Sequence, residues 1–174
     1  MLQTTQNFQF GSRSRREMQG VHPDLTAVCE KAIAITTVDF GVFDGLRTAA
    51  DQNRLFRRGA SQIDGYQRRG RHQQQSTGYG HAVDLVPWIN GRFVWDWDAT
   101  YEIAEAVTIA AHDCNVNLRW GGCWQWTAPL SGAPEHWVTA YVKRKRDQGR
   151  RAFNDGPHWE LYGEQYGHTG QVTA

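Results

Sequence analysis

Apolar positions along the chain change their period several times, and each change marks an element. From Pro23 they fall at Leu25, Val28, Cys29, Ala32 and Ile33, the spacing of one helix face, and Pro followed by Asp suits a first turn. Val38 to Phe43 is β-branched and aromatic and reads as a strand. Asp44-Gly45 turns the chain, and Arg47 to Arg58 reads as a second helix ended by Gly59. Residues 60–80 are rich in Gly, Gln, Arg and Ser with no apolar period, a long loop of the kind that is usually functional or mobile. Ala82–Pro87 reads as a strand, Ile89-Asn90-Gly91-Arg92 as a hairpin turn, and Phe93-Val94-Trp95 as its returning partner. A helix follows over Ala99–Cys114, with Ile103, Val107, Ala110 and Cys114 inward. Then come a strand from Val116 to Trp120, a helix from Pro134 to Gly149 and a last strand at His158–Leu161. Helices and strands interleave, yet hairpins join some strands. The pattern predicts a small α+β domain, an antiparallel sheet flanked by helices, with a site on one sheet face.

At 174 residues the chain suits one domain, 1–174, with residues 1–19 as a polar, Arg-rich arm packed on it. Net charge is +1 and names no partner. The arginines are nevertheless clustered: Arg54, Arg57, Arg58, Arg68, Arg69 and Arg71 form one stretch, and Lys143 to Arg146 with Arg150 and Arg151 another. Such runs read first as solvated faces and second as attraction to a polyanion such as a bacterial envelope. No nucleic-acid motif accompanies them, so nucleic acid is not an expected partner. Cys29, Cys114 and Cys123 have no metal-finger or redox spacing; Cys29 and Cys114 fall on apolar helix faces and read as core thiols. No stretch approaches the roughly 18 apolar residues of a membrane span, and Met1 to Phe8 lacks the regions of a signal peptide. A soluble, monomeric protein without membrane insertion is expected.

Two segments carry chemistry: Gly80-His81-Ala82-Val83-Asp84-Leu85-Val86 and Asp155-Gly156-Pro157-His158-Trp159-Glu160-Leu161. An aspartate amid Ala82-Val83 and Leu85-Val86 is costly to bury unless it is paired or metal-bound. His158 starts a second buried strand, with a carboxylate three residues before it; Pro157 means that a turn, not a helix face, brings Asp155 near. Imidazole and carboxylate ligands on rigid strands, plus a free carboxylate to handle the proton of an activated water, are what a zinc hydrolase needs. Asp84 and His158 are therefore candidate zinc ligands. Glu160, two residues after His158 on the same face, is a candidate to orient it. The tryptophans from Trp88 to Trp126 read mostly as core, with one or two lining a glycopeptide groove.

Longer stretches carry a resemblance. Gly20-Val21-His22-Pro23-Asp24-Leu25, Gly45-Leu46-Arg47-Thr48 with Gln52, Gly80 to Pro87, Arg119-Trp120-Gly121-Gly122 and Asp155-Gly156-Pro157-His158 follow one another in a specific order. The chain resembles the zinc D-alanyl-D-alanine carboxypeptidase and dipeptidase family, most closely its bacteriophage endolysin branch, whose members cut the L-alanyl-D-glutamate bond of peptidoglycan. The resemblance implies zinc held by His, Asp and His, with Asp84 and His158 as two of the ligands, Asp155 as general base and Arg47 contacting the substrate. It implies a phage endolysin acting on the wall peptide stem, held in the host cytoplasm until lysis and working in the periplasm. A D-alanyl-D-alanine carboxypeptidase, or a wall-peptide binding module with a degraded zinc site, are the alternatives.

The first histidine departs from the pattern. The family places it seven residues before the aspartate, in Ser-x-His-x-x-Gly-x-Ala-x-Asp, where this chain has Thr77, with Gln75 at the serine position. An insertion would move the ligand back to His72; His81 would substitute only if a bulge turned it to the face of Asp84; or the site is defective. His72, Asp84 and His158 are the expected metal set. Cys123 also departs, standing where relatives often carry Asp, and is either a loop thiol or a soft ligand.

Overall fold

Six strands form one antiparallel sheet in the computed structural model, which describes residues 7–126 and 131–167. They are β1 (Phe40–Asp44), β2 (Ala82–Ile89), β3 (Arg92–Phe93), β4 (Leu118–Trp120), β5 (Gln125–Trp126) and β6 (His158–Leu161), in the order β1-β2-β6-β4-β5, with β3 pairing β2. The helices are α1 (Ser12–Glu17), α2 (Pro23–Ile35), α3 (Ala49–Arg57), α4 (Trp97–Asp113) and α5 (Pro134–Asp147). The class is α+β. Among the described residues, no helix is long and apolar enough to cross a membrane.

Register decides what each sheet face carries, because directly opposed residues of an antiparallel pair share a face. Val83 lies opposite Trp159, and Trp159 opposite Trp120; these side chains are 1% exposed or less, and the two indoles stack at 5.4 Å. With Val42, Leu85, Leu118 and Leu161 they meet Leu25, Val28, Ile33, Ile103 and Val107 of α2 and α4 in a single core. The alternate positions form the other face. Asp84 lies opposite His158, Ala82 opposite Glu160, and Glu160 opposite Arg119. Alternation thus puts Val83, Leu85, Trp120 and Trp159 on the helix side and the two strand-borne candidate ligands, Asp84 and His158, on the other.

Several boundaries differ from the sequence pattern for local reasons. The helix expected from Arg47 starts at Ala49, because Thr48 and Asp51 form a reciprocal capping box. Arg47 is thereby left outside the helix. The returning strand expected at Phe93–Trp95 stops at Phe93, since Asp96 already caps Ala99 N and α4 begins at Trp97. The polar arm contains α1, anchored by buried Phe10 and Met18; residues 1–6 of that arm lie outside the described residues. The tryptophans are less buried than expected: Trp88, Trp95 and Trp97 are exposed, Trp124 is half-buried, and only Trp120 of these five is core. The side chain of Trp126 lies outside the described residues. Trp88 shares the β2 face of Asp84, which turns it away from the helix side.

Candidate functional site

The non-core sheet face gathers the polar residues. His72 Nε2, His158 Nδ1 and Asp84 Oδ1 form a near-equilateral triangle with edges of 3.2, 3.3 and 3.3 Å. Zinc bound at about 2.0–2.1 Å in a tetrahedron would separate its ligand atoms by about 3.3 Å, so the three donors fit the ion by size as well as by type. His72, Asp84 and His158 are the group among the described residues whose ligand atoms converge for a metal.

Each ligand is aimed by a partner. His72 Nδ1 lies 2.8 Å from the Gly45 carbonyl oxygen, which leaves Nε2 turned inward. His158 Nε2 lies 3.0 Å from Glu160 Oε2, which leaves Nδ1 turned inward. Arg119 holds the other oxygen of Glu160, donating through Nε at 2.6 Å. Asp84 points one oxygen at the histidines and offers the other to Arg47 Nη2 at 2.7 Å. Carboxylate and carbonyl partners of this kind fix tautomer and ring angle at metal sites.

The long loop that delivers His72 is held by side-chain amides. Buried Gln52 donates to Ser61 Oγ and the Ile63 carbonyl, buried Gln73 to the Gly65 carbonyl, and Gln75 to the Gly70 and Gln73 carbonyls. Glutamine amides take the place of a hydrophobic core in this segment. The loop closes where Arg47 N donates to the His72 carbonyl and His81 N to the Arg71 carbonyl, both within 2.9 Å. His72 is 4% exposed as a result.

His81 is outside this group. Its ring is fully buried with Nε2 2.6 Å from Thr77 Oγ1, packed edge-on against His22 and Tyr166. Burial, and then the charge of Arg71, lower its pKa to about 4, so it is neutral at ordinary pH. The bulge in this region belongs to β1, where the register slips between Val42 and Asp44; Phe43 is the extra residue. That slip sets Asp44 opposite Asp84 and lets Asp44 Oδ2 accept from Arg47 Nε at 2.8 Å. Cys123 is buried and outside the metal group, its thiol pushed up to about 11 by burial.

Asp155 sits in the turn before β6, its N–H donating to the Gly121 carbonyl and its carbonyl accepting from His158 N. This approach requires a glycine at 121: a Cβ there would collide with the Asp155 carbonyl oxygen and stand 2.9 Å from His158 Cβ. Burial raises the pKa of Asp155 and the neighbouring Asp84 charge raises it further, against the pull of His158, His72 and Arg47. Arg47, expected to contact substrate, has its guanidinium on Asp84 and Asp44. Asp44 and the Gly45 carbonyl were not anticipated as supports: Asp44-Gly45 carries only a turn signal.

Comparison with known proteins places the chain in a family. Residues 6–162 match the phage L-alanyl-D-glutamate peptidase family, and the chain belongs to that family. It is similar to the L-alanyl-D-glutamate peptidase of Escherichia phage T5, 26% identical over 156 residues that make up 89% of this chain and 98% of that protein. Among solved structures it is similar to the Serratia marcescens L-Ala D-Glu endopeptidase ChiX, at 33% identity and a TM-score of 0.65, covering 95% of this chain and 98% of that one.

Proposed function

We propose that the chain is a zinc-dependent peptidoglycan peptidase of the phage endolysin type, cutting the bond between L-alanine and D-glutamate in the wall peptide stem. One observation carries this reading: three donor atoms at zinc-ligand spacing, aimed by Gly45, Glu160 and Arg47, in a chain whose T5 and Serratia relatives are named for that bond. A complete donor set also speaks against a binding module with a degraded site. All three donors come from one chain, which suits action as a monomer at the wall once lysis begins.

Zinc held by His72, Asp84 and His158 would polarise the scissile carbonyl and acidify the attacking water. Asp155 is the residue that would accept the proton of the attacking water. Its raised pKa brings it nearer the working pH, where a carboxylate can both accept the proton and hand it to the departing D-glutamate amine. Arg47 acts through Asp84, keeping one carboxylate oxygen on the histidines by holding the other. Glu160, itself held by Arg119, keeps His158 Nδ1 turned toward the ligand group.

Mass spectrometry of material released from purified sacculi tests the assignment. The expected products are peptides with a free D-glutamate amine and glycan strands whose muramyl residues each keep a single L-alanine, both lost on chelation. Release of terminal D-alanine alone would instead make the protein a carboxypeptidase.

A further inference from the structure

We propose that the cleft beside Asp155 is a sugar subsite that takes the N-acetylmuramyl ring attached to the alanine side of the scissile bond. The inference rests on the peptidoglycan-peptidase reading and deepens it. The cleft, about 270 Å³, opens between the end of β2, the start of α4 and the turn before β6; Val86, Pro87, Trp95, Trp97, Asn154 and Asp155 line it. Sites for drug-sized ligands run to about 300–1,000 Å³, so this one has room for a single ring and not for a run of peptide.

Its aromatic wall stands largely in the open. Trp95 is 63% exposed and Trp97 40%, whereas the core indoles of Trp120 and Trp159 are 1% or less. Trp95 is nevertheless fixed in orientation, edge-on to Phe43 at 5.0 Å, and Trp97 leans on Tyr101 at 5.5 Å. A rigid, uncovered indole face offers a pyranose a flat apolar surface for its C–H groups, while polar neighbours meet its hydroxyl and acetamido groups.

Charge sets the direction of the substrate. Among the described residues, the charged groups lining the cleft are the carboxylates of Asp96 and Asp155, with no cation among them; Arg13 lies over Phe93. On the far side of His158 stand Arg119, bonded to Glu160, and half-buried Arg71. The stem peptide is anionic from D-glutamate onward, and its alanine side carries a lactyl ether and a neutral N-acetyl sugar. Carboxylates are repelled from the cleft and drawn to the arginines, which leaves the uncharged sugar for the tryptophans.

The test is a chemical-shift titration of the zinc-loaded protein with N-acetylmuramyl-L-alanine and, in parallel, N-acetyl-L-alanine. The muramyl compound should bind saturably and at least about fivefold more tightly than the sugarless one; Trp95→Ala should erase that preference, and Trp95→Phe should keep part of it. In turnover, Trp95→Ala should lower the ratio of kcat/KM for muramyl peptide over sugarless peptide by about tenfold. Equal binding of the two compounds, or a preference untouched in Trp95→Ala, overturns the subsite. A wild-type protein that cleaves neither peptide would sink the peptidase reading, while the titration still decides on the sugar.

Discussion

Arg47 and Asp84 share a hydrogen bond of 2.7 Å that divides the carboxylate between two tasks: Oδ2 accepts from the guanidinium, and Oδ1 faces His72 and His158. The same guanidinium donates to Asp44 through Nε, so its fork spans β1 and β2 at the point where the β1 bulge brings the two aspartates opposite each other. A planar, doubly anchored arginine fixes the carboxylate more firmly than a lysine point charge can.

Arg47→Ala should therefore weaken metal binding by about 10–100-fold, the usual cost of losing a partner that orients a ligand, and Arg47→Lys should recover only part of it. Competition with a chelator measures this. Unchanged metal affinity combined with a raised KM would show that Arg47 meets substrate instead.

Asp155→Asn should keep its metal and lose turnover by about 10²–10⁴-fold, because the amide cannot accept the water proton while all three ligands stay in place. Metal content and hydrolysis of sacculi, read on the same sample, check both halves. Near-normal activity would move the base elsewhere, with Glu160 the next residue to test.

Metal binding should depend on pH through His158. Burial alone pulls its pKa down, but the hydrogen bonds to Asp84 and Glu160 reverse this and hold it at about 10 in the metal-free protein. A metal at Nδ1 must displace that proton, so affinity should rise by about tenfold per pH unit between roughly pH 7 and 9. The stability sign follows. A pKa raised on folding stabilises the metal-free protein fully below the ordinary histidine value of 6.5, and the contribution is lost as pH climbs through about 10. The Tm of the metal-free protein should fall over that window more than that of the loaded protein. Parallel Tm curves would contradict the assignment of the proton to His158.

Strand alternation made much of this fold legible. Asp84 and His158 interrupt apolar runs at positions that must face away from the core, and the sheet register sets them opposite each other. His72 could not be singled out the same way, since its position depends on amide hydrogen bonds from Gln52, Gln73 and Gln75, which leave no periodic trace. The place of Arg47 turned on a capping box that shortened a helix by two residues at its start, from the expected Arg47 to Ala49. The tryptophans from Trp88 to Trp126 read mostly as core, with one or two left for a groove, and the pattern does not say which; the early start of α4 after the short hairpin leaves Trp95 and Trp97 in the open.

The central claim is that His72 completes a metal site with Asp84 and His158, and zinc content per chain tests it most directly. Elemental analysis should find about one zinc in the wild-type protein, almost none in His72→Ala, and close to the wild-type amount in His81→Ala, because three ligands are needed to hold the ion and His81 is not among them. A wild-type protein without zinc, or a His72→Ala variant that retains it in full, would contradict the account.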